Sequence, residues 1–310
     1  MSATHSHGHD DAHSHAPTSE RRVMIAMWLT GGFMIVEAVG GYLSGSLALI
    51  ADAGHMLTDT GALALAWLAV RFARRPADGA RSYGYHRAEI LAAFLNGAAM
   101  IALALWVIVE AAMRFFEPAP VLATPMLAVA AGGLLVNIVS FLLLHGAGDS
   151  LNMRGAAVHV LGDLLGSVAA IAAAIIILMT GWMPIDPLLS VFVALLILRS
   201  AWNVTRESAH ILMEGTPTGL EPDTIAADLV ANVEGVADVH HVHAWSLGSS
   251  RSVVTLHARL APLADAQAAL GAIKARLGTQ FGIGHATVQI EPGDCLDAGH
   301  SAPDHDHRHH

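Results

Sequence analysis

The sequence predicts an α-helical membrane protein with six transmembrane helices, followed by a C-terminal cytoplasmic α+β domain of the ferredoxin-like type. Three observations predict it. Of 310 residues, 54% are hydrophobic and 14% carry a formal charge, with a mean hydropathy of +0.52, a balance rare in a soluble domain of this length. The apolar residues gather into six long runs separated by short connections. After residue 206 the pattern changes to interspersed charges and short apolar runs.

A helix needs roughly 20 mostly apolar residues to cross a bilayer, because unpaired backbone groups cannot be left in hydrocarbon. The runs at 23–43, 47–72, 88–113, 122–145, 155–180 and 184–204 meet that requirement. Lys and Arg are retained on the cytoplasmic side. With the N-terminus inside, Arg21, Arg22, Arg71, Arg74, Arg75, Arg81, Arg87, Arg154, Arg199 and Arg206 lie on or near the cytoplasmic face and Arg114 falls outside. Six crossings return the chain to the cytoplasm, so the expected location is the inner membrane, with both termini cytoplasmic. The N-terminus shows no charged segment followed by a cleavable apolar core, and no signal peptide is expected.

The expected organisation is a His-rich disordered tail over 1–20, a transmembrane domain over 21–206, a cytoplasmic domain over 207–293 and a second His-rich tail over 294–310. Within the cytoplasmic domain the pattern predicts a helix from Asp223 to Val233, strands from Val236 to Leu247 and Arg251 to Ala261, a helix from Leu263 to Phe281, and a strand from His285 to Glu291. Gly248-Ser249-Ser250 between two β-rich runs is a hairpin signal. The order α-β-β-α-β points to a ferredoxin-like module. So small a core favours dimerisation.

A net charge of −10 and a single lysine, Lys274, exclude a nucleic-acid surface, because phosphate binding needs clustered cations. Cys295 is the only cysteine, so no internal disulfide forms and no thiolate cluster is suggested.

Two apolar spans carry ionisable residues, which are costly there and usually functional. Span 2 holds Asp52, His55 and Asp59; span 5 holds His159 and Asp163. Both contain His-x-x-x-Asp, and a spacing of four places the two side chains on one helical face. Spans 2 and 5 run antiparallel, so the pairs can face each other as a set of two imidazoles and two carboxylates, a tetrahedral zinc-type shell. Its charge of −2 offsets a dication where a bare ion would be very costly, and imidazole discriminates against Mg2+ and Ca2+. Hydrogen bonding for helix packing is the bland alternative, but packing does not require the same two residue types at the same spacing twice. For Asp52, nearer the outer end of span 2, an outer-vestibule position is one reading. Glu37, Asn96, Glu110 and Asn137 suit helix packing or a watery cavity, and Gly31-Gly32, Gly40-Gly41 and Gly132-Gly133 suit close helix contacts.

At this level of detail the chain resembles the cation diffusion facilitator family of zinc transporters. The resemblance rests on the His-rich N-terminus, the six spans, the segment from Gly45 through Ser46, Leu47, Asp52, Ala53, Gly54 and His55 to Asp59, the loop Ser82-Tyr83-Gly84-Tyr85-His86-Arg87-Ala88-Glu89, and His159 with Asp163. The block Ile211-Leu212-Met213-Glu214-Gly215-Thr216-Pro217 and the ending Thr287-Val288-Gln289-Ile290-Glu291 fit as well. It implies a homodimeric metal/proton antiporter with Zn2+ as substrate, no prosthetic group, and His55, Asp59, His159 and Asp163 as the transport site. Histidine at position 55 resembles the zinc-preferring branch; Cd2+, Co2+ and Fe2+ remain chemically compatible.

The resemblance also implies metal ligands in the cytoplasmic domain at His240, His257 and Glu291, with His285 a further candidate; surface or packing histidines are the alternative. Strand parity places His240 and His243 on opposite faces. The extra site that some relatives hold between spans 2 and 3 aligns with Asp78, Arg81 and Tyr85, of which only Asp78 can ligate, so that site is expected to be absent. The tails carry His5, His7, His9, His13, His15 and His300, His305, His307, His309, His310, a composition that reads as disordered, with weak metal capture as one reading and a dispensable tail as the other. Two rival functions are an intramembrane metalloenzyme and a membrane-bound metal sensor. The first lacks His-Glu-x-x-His and an open coordination position; the second lacks an attached signalling domain.

Overall fold

The computed structural model describes residues 16–295 except Arg74, residues 146–150, Ser249, Ser250 and Asp294. For residues 16–23, 59, 62, 63, 66, 67, 70, 144, 145 and 151–162 it describes the backbone alone. Both His-rich tracts, the Ser249-Ser250 turn and the side chains of Asp59 and His159 therefore lie outside the described residues.

Six long helices come first: α1 (Ala16–Ser44), α2 (Leu47–Ala73), α3 (Arg87–Phe116), α4 (Ala123–His145), α5 (Leu151–Thr180) and α6 (Ile185–Leu212). Five contain stretches long and apolar enough to cross a membrane, namely Met24–Ser44, Arg87–Phe116, Ala123–Leu143, Asp163–Thr180 and Ile185–Leu212. The 27-residue α2 makes the sixth, with Leu47–Thr58 as its described apolar stretch. Large apolar side chains such as Trp28, Leu135 and Phe116 point outward, while the buried seams are rich in alanine, including Ala104, Ala130, Ala173, Ala174 and Ala194. That is the pattern of helices that meet lipid outside and pack closely inside. An ideal Cβ on Gly40 would sit 2.6 Å from Val129 Cγ2, so only glycine lets α1 lie this close to α4. Gly31 and Gly32, by contrast, face open space.

The chain divides into two compact units, Met1–Ala64 with Leu95–Asn203 and Leu65–Phe94 with Val204–His310. In the first, α4 packs on α1 and α5. The start of α2 is capped twice. Ser46 Oγ accepts from Leu49 N–H at 3.3 Å, and the Asp186 carboxylate at the start of α6 accepts from Ser46 Oγ at 2.6 Å and from Leu47 N–H at 2.8 Å. Arg114 donates to Glu110 at 2.8 Å and to the Gly45 carbonyl at 2.6 Å, which holds α3 to the same corner.

In the second unit, α7 (Pro222–Asn232), β1 (Val236–Ser246), β2 (Ser252–Leu260), α8 (Ala266–Phe281) and β3 (His285–Glu291) follow in the expected α-β-β-α-β order. The sheet order is β1-β2-β3. β1 and β2 form an antiparallel pair, and β3 pairs parallel to β2, as a helical crossover requires. Ile225 and Leu229 of α7, Ile273 and Leu277 of α8, and Val254, Leu256 and Ala258 of β2 close one core. Helix α8 begins three residues later than the apolar pattern suggests. The Asp265 carboxylate accepts from Gln267 and Ala268 N–H and so sets the cap, leaving Leu263 fully exposed with a φ of 69°. At its other end the chain leaves through Gly282 in the left-handed conformation that commonly stops a helix. Helix α6 continues to Leu212, past the apolar run that ends near residue 204.

Candidate functional site

Two groups of buried or partly buried polar residues stand out. The first lies among the membrane helices. Asp52 and Asp163 are buried, His55 is partly buried, and Glu37 of α1 is buried beside them. Glu37 and Asp52 share a side-chain hydrogen bond, and the Asp163 charge acts on both. Asp52 Oδ1 lies 3.1 Å from the place a Cβ on Gly166 would occupy, so α2 and α5 approach each other at that level. From this contact, His55 is three residues along α2 and Asp163 three residues back along α5; Asp59 and His159 are each seven residues away. In antiparallel helices the three-residue steps keep His55 and Asp163 level. Asp52 therefore belongs to the buried polar group between helices rather than to an outer vestibule. Nearby, Asn137 Nδ2 donates to Ser167 Oγ at 3.2 Å, a buried link between α4 and α5.

The second cluster lies on the sheet. Glu291, at the end of β3, is buried with its side chain 5% exposed. Its two oxygens face two imidazoles: His257 Nδ1 is 3.0 Å from Oε1 and His240 Nε2 is 3.1 Å from Oε2. Cys295 Sγ is 3.6 Å from His257 Nδ1. One ligating atom from each of His240, His257, Glu291 and Cys295 lies within 4.8 Å of every other. This set of two imidazoles, one carboxylate and one thiol suits a tetrahedral, borderline-soft dication such as Zn2+ or Co2+. Asp238 Oδ2 lies 2.9 Å from His240 Nδ1, which orients the ring with its Nε2 toward Glu291. Burial pulls the Glu291 carboxyl upward, but hydrogen bonds from Cys295 and Gln289 and the neighbouring His240 and His257 outweigh it. The net effect holds the group below the ordinary carboxylate range.

Three histidines are placed by one irregularity. β1 carries a bulge between His240 and His243, where three steps on β1 match two on β2: His240 pairs with His257 and His243 with Thr255. The extra residue reverses the expected parity, so His240 and His243 share a face of the sheet. His241 occupies the bulge with a φ of 49°. Its ring stacks on His257 at 4.9 Å between centroids and meets His240 edge-on at 5.4 Å. Sequence reasoning assigned no role to His241 or Cys295. The bulge has no signature in a period-two reading, whereas the position of Cys295 four residues after Glu291 was a usable signal. His285 stands six residues from Glu291 along β3, roughly 20 Å at strand rise, edge-on to Tyr83 and apart from this cluster.

The loop before α3 has a different organisation. Asp78 Oδ2 accepts from Tyr85 OH at 2.7 Å, and Oδ1 accepts from Ala80 and Arg81 N–H. These bonds, the Tyr85 hydroxyl first, hold its carboxyl below the usual range.

Residues 23–213 match the family model of the cation efflux transmembrane domain, and residues 217–293 match that of the cation efflux protein cytoplasmic domain. The chain is 47% identical over 314 residues to the zinc transporter ZitB of Escherichia coli (strain K12), covering 99% of each chain. It is 49% identical over 291 residues to ZitB of Pectobacterium atrosepticum, covering 92% of this chain and 91% of that protein. The cadmium, cobalt and zinc/H(+)-K(+) antiporter of Bacillus subtilis is 42% identical over 286 residues, covering 90% of this chain and 91% of that one.

Proposed function

Because the chain belongs to the cation efflux family, we propose that it exports Zn2+ from the cytoplasm in exchange for protons, with Cd2+, Co2+ and Fe2+ as further compatible substrates. The observation that carries this reading is the close approach of Asp52 to Gly166, which brings α2 and α5 together beside Asp163. The transport site is assigned to His55, Asp59, His159 and Asp163. Metal binding requires these groups deprotonated, so protons and Zn2+ compete for them. Facing a near-neutral cytoplasm the site takes the dication; facing a more acidic exterior, the imidazoles take protons and release it. Rocking of the helices about this buried point supplies alternating access.

The protein is assigned to the bacterial inner membrane as a homodimer with both termini cytoplasmic, and its domains to 1–20, 21–206, 207–293 and 294–310. In the cytoplasmic domain His240, His257, Glu291 and Cys295 would hold a resident metal ion, which would supply a cross-link between β1, β2 and the end of β3. The defining experiment is Zn2+ uptake into inverted vesicles energised by a pH gradient. His55→Ala and Asp163→Ala are each expected to abolish it, and full transport by either variant would refute the site.

A further inference from the structure

A cavity of about 860 Å³ opens in the second unit between the loop that precedes α3 and one end of the sheet. We propose that it binds a phosphate-bearing anion. Among the described residues its basic lining consists of Arg75, His86, Arg251 and His285, with no carboxylate. In a chain with only 16 basic residues against 26 acidic ones, two guanidiniums converging on one cavity is a marked local surplus of positive charge. Neither arginine has a carboxylate partner among the described residues. Arg251 instead lies with its Nη1 3.3 Å from His86 Nε2.

The surrounding groups hold these donors in place. The Arg75 guanidinium stacks over the Phe72 ring at 4.4 Å, and His285 is held edge-on by Tyr83. The planar donor fork of arginine matches phosphate oxygens in a bidentate arrangement. A divalent cation fits less well, because the Arg251 charge sits against the His86 nitrogen that would have to bind it. The volume exceeds that of bare phosphate and lies in the range of sites for organic ligands, so an organophosphate or an anionic lipid headgroup fits.

The test uses the purified full chain in detergent, titrated calorimetrically with inorganic pyrophosphate and, separately, with a short-chain phosphatidylglycerol below its micelle concentration. Saturable binding of at least one probe is expected, with Arg75→Gln/Arg251→Gln weakening it at least tenfold and Arg206→Gln leaving it unchanged. Pyrophosphate alone identifies a soluble phosphate compound; phosphatidylglycerol alone identifies a lipid headgroup. Circular dichroism, together with Co2+ binding at the sheet cluster, reports whether the double variant is folded, and Arg251→Lys, which keeps the charge, is expected to retain intermediate affinity. Failure of both probes to bind, or equal affinity in the wild type and a folded double variant, would overturn the proposal.

Discussion

Asp186 Oδ1 accepts the Ser46 hydroxyl at 2.6 Å, a buried bond between the first turn of α6 and the cap of α2. The same carboxylate takes the Leu47 and Ala48 N–H groups, so it satisfies donors that a helix start leaves without partners. Asp186→Ala strands three donors in a buried corner. Each unsatisfied donor costs roughly 1–3 kcal/mol, so a clear fall in the thermal midpoint of the detergent-solubilised protein is expected. An unchanged midpoint would mean that water or another group replaces the carboxylate.

Cys295 supplies the thiol of the sheet cluster. Co2+ bound there is expected to show a thiolate-to-metal charge-transfer band in the near ultraviolet. Cys295→Ser should remove the band while keeping a weaker site, because the two imidazoles and the carboxylate remain. A band that survives the substitution would exclude this thiol as a ligand.

The bulge at His241 makes a conformational prediction. A left-handed φ of 49° costs glycine nothing and costs a β-branched residue most. His241→Gly should keep the domain at least as stable, whereas His241→Val should lower its stability by about 1–2 kcal/mol, both read by chemical denaturation. If valine is tolerated as well as glycine, β1 can slip into a regular register.

Asp228 and Arg276 tie α7 to α8 through two parallel bonds, at 2.8 and 2.7 Å. The Arg276 hydrogen bond holds the Asp228 carboxyl below its usual value, which is about 3.9 unfolded. A depressed carboxyl contributes stability that is complete above the unfolded value and disappears as pH falls through the lower folded one. The stability gap between the wild type and Asp228→Asn should therefore be widest near neutral pH and shrink in acid below that value. A gap that persists unchanged into strong acid would mean that packing rather than charge links the helices.

The membrane helices were legible because an apolar run of sufficient length has few other uses, and the order of the cytoplasmic elements followed from turn signals and periodicity. Hydropathy places the end of the last span near residue 204, yet α6 runs to Leu212 because its final turns are polar and helical at once. Asp186 escaped notice since a single acid at a helix start looks like an ordinary cap, and its partners are 138 to 140 residues away in sequence. The cluster residues His240, His257 and Glu291 were legible by resemblance; the neighbouring ring of His241 was not, because parity reasoning assumes an unbroken ladder.

The sheet cluster draws its donors from well-separated stretches of chain, and Glu291 and Cys295 come last of all. During synthesis both imidazoles leave the ribosome before the carboxylate and the thiol, so the four donors cannot come together until translation has passed residue 295. A message truncated just short of Glu291 would still encode all six long helices, and its product would lack two of the four donors.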